Sequence, residues 1–219
     1  MWSTDTNERL RRRFLAIRAE FVRRLAHDPP RPNGALFYCG ARQSLPAFKT
    51  FLGARDPAFL GARTLEETSA GRFLVETTER ELVAVLGSDY YRVSTFTLAG
   101  GGAFTQSIAG IWRDLSARYA TACAGVVNAL VSHDRARIHR QGLEAWTRGD
   151  RPPGILRALR VFGFVEFPIL VGALARNRGV RVVDVYLERS PGRFERLPRT
   201  PVCARDGWSA ADETHSAGE

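Results

Sequence analysis

The strongest constraint on the fold is a change of period halfway along the chain. In the second half, Gly125–Val131, Val161–Phe167 and Val180–Leu187 have strand length and are rich in β-branched and small apolar residues, while 136–148 and Ile169–Arg176 read as helices. Strands alternating with helices argue a small, mostly parallel sheet, so the expected class is α/β. Upstream, helices dominate through about residue 87, with Leu45–Leu52 among them. Phe104, Ile108, Ile111, Leu115 and Tyr119 form one stripe of a helix expected from about Phe104 to Ala122. The apolar run Ala35–Cys39 is too short for periodicity to choose between strand and buried turn.

At the N-terminus, Leu10, Phe14, Ile17, Phe21 and Leu25 recur at helical spacing, and Arg9, Arg11, Arg12, Arg13, Arg18, Arg23 and Arg24 lie among the other positions of residues 7–27. Asp28-Pro29-Pro30-Arg31-Pro32-Asn33-Gly34 ends this basic amphipathic helix. It either covers the core or meets an anionic surface or partner. The first 34 residues thus form a helix and a proline-rich linker. From Pro198 onward, polar residues without periodicity read as a tail, residues 198–219.

With 219 residues, of which 44% are hydrophobic, the chain can bury a substantial core. No run reaches the ~18 apolar residues that span a bilayer, and Asp5 and Glu8 precede any apolar run, so neither a membrane segment nor a secretory leader is expected. Cys39, Cys123 and Cys203 are odd in number and lack metal-ligand spacing, and His133 and His139 do not form an i, i+4 pair. Neither a disulfide framework nor a metal site is indicated, and a reducing compartment follows. The net charge of +9 favours polyanions, phosphorylated small molecules or an acidic protein partner. Lys49 is the only lysine, so arginine carries nearly all of that charge, as an arginine-rich codon bias would also produce.

Common catalytic templates are missing. Gly100-Gly101-Gly102 lacks phosphate-loop spacing and follows no clear strand, so it reads as a connection. No GxSxG elbow or HExxH is present. Glu166 stands out because it is embedded in Val161-Phe162-Gly163-Phe164-Val165-Glu166-Phe167, where an unpaired charge would be expensive. It either meets an arginine or serves a site at the carboxyl end of a parallel strand. Glu66 and Glu67, after Thr64, read as acidic residues in a helix's first turn. Trp112 and Ser116 share a helix face, Trp112 having the spacing of a core anchor beside Leu115 and Tyr119.

Taken in order, these segments resemble the ADP-ribosyl cyclase family. Tyr38 stands where the family has an aromatic residue on a short apolar segment, and Thr64-Leu65-Glu66-Glu67-Thr68-Ser69-Ala70-Gly71 matches its Thr-Leu-Glu-Asp-Thr motif followed by Gly. Trp112, Ser116, Tyr119-Ala120 and Val126-Val127 look like its next block, and Phe162-Gly163-Phe164-Val165-Glu166-Phe167 resembles the strand that bears its catalytic glutamate. The likeness spans residues 35–187. The chain departs from it in having Tyr38-Cys39 where Trp-Ser is usual, and in lacking the disulfides of the animal members.

The resemblance implies a helical lobe, about 35–122, packed on a small mostly parallel sheet flanked by helices, about 123–197, together forming a catalytic domain over 35–197. It implies cleavage of the nicotinamide–ribose bond of NAD to nicotinamide and ADP-ribose, with some cyclic ADP-ribose conceivable and no cofactor beyond the substrate. Glu166 is then the catalytic carboxylate, and Glu66, Trp112, Ser116, Tyr38 and Phe162 bind substrate. Bacterial relatives often deplete NAD as toxins or defence effectors, which implies cytoplasmic action in the producing or a target cell and an acidic neutralising partner. A different reading also stands at this point: a basic module without catalysis that binds an acidic protein or, less favourably, nucleic acid.

Overall fold

The computed structural model describes residues 3–39, 42–131 and 177–197. The chain is mixed α/β and gathers into two compact units, Met1–Pro29 with Leu65–Tyr119, and Pro30–Thr64 with Ala120–Glu219.

In the first unit, helix α1 (Thr4–His27) starts where Ser3 Oγ accepts a hydrogen bond from Thr6 N at 3.2 Å. The expected stripe is the observed buried face: Phe14, Ile17, Phe21 and Leu25 are buried, and Leu10 is half-buried. Its arginines are largely occupied within the unit. Arg11 lies 2.8 Å from Glu8, Arg13 2.6 Å from Glu81, and Arg23 and Arg24 2.7 and 2.6 Å from Glu20. Hydrogen bonds from Arg23, then Arg24, hold the Glu20 carboxyl down to about 2. Helix α1 packs on α3 (Ser69–Thr77), which runs on through a π-helical turn at Thr78–Leu82 into α4 (Val83–Leu86).

Two strands of this unit escaped the periodicity. The antiparallel pair β2 (Ser94–Thr97) and β3 (Ala103–Gln106) places Phe96 opposite Phe104, and both rings meet Phe14 of α1 at 6.3 and 5.4 Å. Phe104 therefore belongs to a strand, and the helix expected from it begins later, as α5 (Ile108–Thr121). Gly100–Gly102 does follow a strand, and it turns the hairpin through Leu98 N donating to Gly102 O at 2.8 Å.

The second unit holds a four-stranded sheet. The short apolar run becomes β1 (Ala35–Cys39), parallel to β4 (Gly125–Val131), which is parallel to β5 (Val180–Ser190); β6 (Arg193–Arg196) closes the far edge antiparallel. Register aligns Leu36, Asn128 and Asp184 in one row and, two residues on and on the same face, Tyr38, Leu130 and Tyr186 in another. Helix α2 (Leu45–Arg55) packs Leu45, Phe48 and Leu52 against Leu36, Leu130 and Tyr186. The other face carries Phe37, Val127, Ala129, Val183 and Val185, all buried, so β4 is covered on both sides as a central parallel strand requires. The expected helices 136–148 and Ile169–Arg176, the strand Val161–Phe167 and the tail 198–219 lie outside the described residues.

Two asparagines pin the amino ends of these strands. Asn33, at φ 62°, accepts from Val126 N at 2.8 Å, and Gly125, at φ 72°, must be glycine because a Cβ there would lie 2.2 Å from Asn33 Oδ1. Asn177 Nδ2 donates to the carbonyls of Ala120, Thr121 and Cys123 at 3.1, 3.1 and 2.7 Å, collecting orphan acceptors at the carboxyl end of α5. Its Oδ1 accepts from Gly179 N at 2.8 Å just before β5. Asn177→Ala should cost about 1–3 kcal/mol, a melting temperature lower by roughly 3–10 °C at this chain length, read by calorimetry. An unshifted melting temperature would show that this amide contributes nothing net.

Candidate functional site

The site is built first on α5. Ser107 caps it by accepting from Gly110 N at 2.9 Å, and Ala109 N donates to Tyr90 O at 3.0 Å. Ile108, Ile111, Leu115 and Tyr119 are its buried stripe. Trp112 does not belong to that stripe. It is half-buried, and its indole N–H and ring have no hydrogen-bond or aromatic partner among the described residues. Ser116, one turn on and 8% exposed, likewise has no hydrogen-bond partner among them. A helical serine can return its proton to the carbonyl four residues back. Here an aromatic face and a hydroxyl stand on one side of a helix with their chemistry unspent, where the sequence suggested a core anchor.

The second element is the turn before α3. Leu65–Glu67 forms a 3₁₀ turn, and the helix starts at Ser69 with Thr68, not Thr64, as its cap. Glu66 and Glu67 therefore precede the helix instead of occupying its first turn. The fully buried Thr68 hydroxyl donates to Leu65 O at 2.7 Å and accepts from Gly71 N at 3.0 Å. Asp28, which ends α1, accepts from Ser69 N at 3.1 Å as a second capping acceptor. Gly71 is required by contact, since a Cβ would fall 1.9 Å from Leu65 O. Thr68 and Gly71 of the motif thus shape the turn, and Glu66 stands half-buried on it.

In the other unit Tyr38 stands half-buried near the carboxyl end of β1, its ring against the α2 core. The same end of the sheet carries a carboxylate that sequence reasoning missed. Glu188, 4% exposed, accepts from Ser44 Oγ at 2.9 Å and from Gly192 N at 3.3 Å, tying the start of α2 to the β5–β6 turn. Its alternation with Asp184 and Tyr186 along β5 was the available signal. Glu66, Trp112 and Ser116 lie in one unit and Tyr38 in the other, whereas Glu166 and Phe162 lie outside the described residues.

Burial pushes the Cys123 thiol up to about 12, so it is no nucleophile at neutral pH. Among the described residues no group of three His, Cys, Asp or Glu could hold a metal ion, and no helix is long and apolar enough to cross a membrane. Comparisons with protein-family models, curated proteins and solved structures found no match.

The turn that carries Glu66 should fail in proportion to what is removed. Thr68→Val, which keeps the shape but loses both hydrogen bonds, should cost about 1–2 kcal/mol, and Gly71→Ala about 2–4 kcal/mol because backbone must move. Denaturant midpoints of the two variants check this, and a Gly71→Ala protein as stable as the parent would contradict the close approach.

Proposed function

We propose that this chain cleaves the nicotinamide–ribose bond of NAD, releasing nicotinamide and mostly linear ADP-ribose, in an ADP-ribosyl cyclase-like fold. The observation that supports this most is the unspent pair on α5: Trp112 and Ser116, four residues apart as in the family's motif, are both free of intramolecular partners among the described residues. A structural tryptophan would be buried in the stripe, and a structural serine would be bonded. The alternative of a basic binding module needs free arginine on α1, whereas Arg11, Arg13, Arg18, Arg23 and Arg24 are held by acidic partners within their own unit.

The chemistry asks little of the protein. Nicotinamide in NAD is cationic and departs neutral, so no general acid is needed; the requirement is negative charge near the ribose as oxocarbenium character develops. Glu166 supplies it in this proposal. Trp112 stacks on the nicotinamide or ribose face and excludes water, with Tyr38 and Phe162 as further rings of the substrate site. Glu66 hydrogen-bonds the carboxamide and Ser116 a phosphate oxygen. The proposal extends to NAD depletion in the cytoplasm of the producing or a target cell, restrained by an acidic partner steered by the +9 surface.

Purified protein should release nicotinamide from NAD, measured by chromatography. Glu166→Gln keeps the shape but removes the charge, so kcat should fall about 10²–10³-fold with KM changed far less and the melting temperature retained. Near-parental turnover by that variant would remove Glu166 from the mechanism. Glu66→Phe dries the site around the ribosyl cation and should raise the cyclic share of product at the expense of hydrolysis. A parent enzyme that already makes mainly cyclic ADP-ribose would overturn this account of Glu66.

A further inference from the structure

The geometry points to Arg113 as the residue that grips the pyrophosphate of the dinucleotide, an inference that rests on the function proposed above. Arg113 follows Trp112 directly and precedes Ser116 by three residues on α5, and side chains at i and i+3 of a helix stand about 5–6 Å apart at Cβ. Its guanidinium is exposed and has no ion pair or hydrogen bond among the described residues. The adjacent carboxylate does not draw it in, because Asp114 is already taken by Arg18 at 3.1 Å and Arg118 at 3.7 Å. Arg72, near Glu66, donates to Glu67 O at 2.8 Å and is not free in this way.

Ser116 therefore stands between two neighbours on α5, the Trp112 indole at i, i+4 on one side and the Arg113 guanidinium at i, i+3 on the other. Guanidinium and hydroxyl both donate, and a forked cation beside an O–H donor suits the paired, charged oxygens of a pyrophosphate. The aromatic ring on the far side of the hydroxyl suits the flat base or the sugar that the pyrophosphate carries. Such a set selects a dinucleotide over a phosphate-free nucleoside.

The test measures NAD kinetics alongside calorimetric binding of inorganic pyrophosphate, on parent, Arg113→Ala and Arg113→Lys proteins. Loss of one charge-assisted contact at an accessible position should raise KM for NAD and the Kd for pyrophosphate about 10-fold in Arg113→Ala, with kcat within about twofold. The preference for NAD over nicotinamide riboside, which has no phosphate, should fall by the same factor. Arg113→Lys, a point charge without the fork, should fall between the two. If the parent cleaves NAD and Arg113→Ala matches it in KM and pyrophosphate affinity, Arg113 is excluded and the proposed function stands. If the parent releases no nicotinamide but Arg113→Ala loses pyrophosphate binding, the phosphate contact stands and the proposed function falls. Equal losses on NAD and the riboside would also overturn the assignment, since they would mark a general disturbance of α5.

Discussion

Parallel pairing of β1, β4 and β5 is the constraint from which the second unit follows. Parallel strands cannot be joined by tight turns, so the chain must travel from the carboxyl end of one strand to the amino end of the next each time. Segments that start at Ala35, Gly125 and Val180 are brought side by side, and closing such long loops has an entropic cost that local propensity does not offset. The amino ends are where that cost is met by specific bonds. Asn33 reaches from before β1 to Val126 in β4, and Asn177 reaches from before β5 to the carbonyls at the end of α5. The carboxyl ends carry Tyr38 and Glu188, at the side of a parallel sheet where ligands bind in open α/β proteins.

The first unit solves a different problem, which is to stabilise an arginine-laden helix. Its apolar stripe is buried by α3 and by the aromatic cluster Phe14, Phe96 and Phe104. Its cations are answered by Glu8, Glu20, Glu81 and Asp114, and Arg24 also lies 4.5 Å over the Phe73 ring. Most arginines of this helix therefore sit in local ion pairs, and the net positive charge is carried elsewhere as well as here. Each exposed pair is weak alone. Their effect on function is to decide which cations remain available, and on α5 Arg113 is one.

How much was legible varied with the range of the interaction that decided each element. The stripe of α1 and the β-branched runs at Gly125–Val131 and Val180–Leu187 were readable because periodicity and composition act within a dozen residues. Phe104 was misread because its spacing to Ile108 fits a helix, whereas its partners are Phe96, across a hairpin whose turn read as a plain connection, and Phe14, far away in sequence. β6 passed unnoticed because Arg-Phe-Glu-Arg has one apolar residue, and it becomes a strand only by pairing with β5. The helix start was displaced from Thr64 to Thr68 because both threonines can cap, and the contact of Gly71 with Leu65 chooses between them.

The candidate site divides in the same way. The sequence by itself determined the kinds of residue available: a carboxylate after Thr64-Leu65, a Trp and Ser one helical turn apart, an aromatic on a short strand, and Glu166 within an apolar run. It also determined that Trp112 and Ser116 share a face, since four residues make about one turn of a helix. Only the tertiary structure decided that these two have no partner among the described residues, that Asp114 is taken by Arg18 from another helix, and that Thr68 and Gly71 serve the turn. The physical reason is that helical spacing is a local property of the backbone, while whether a polar group is satisfied depends on chain segments that only folding brings near.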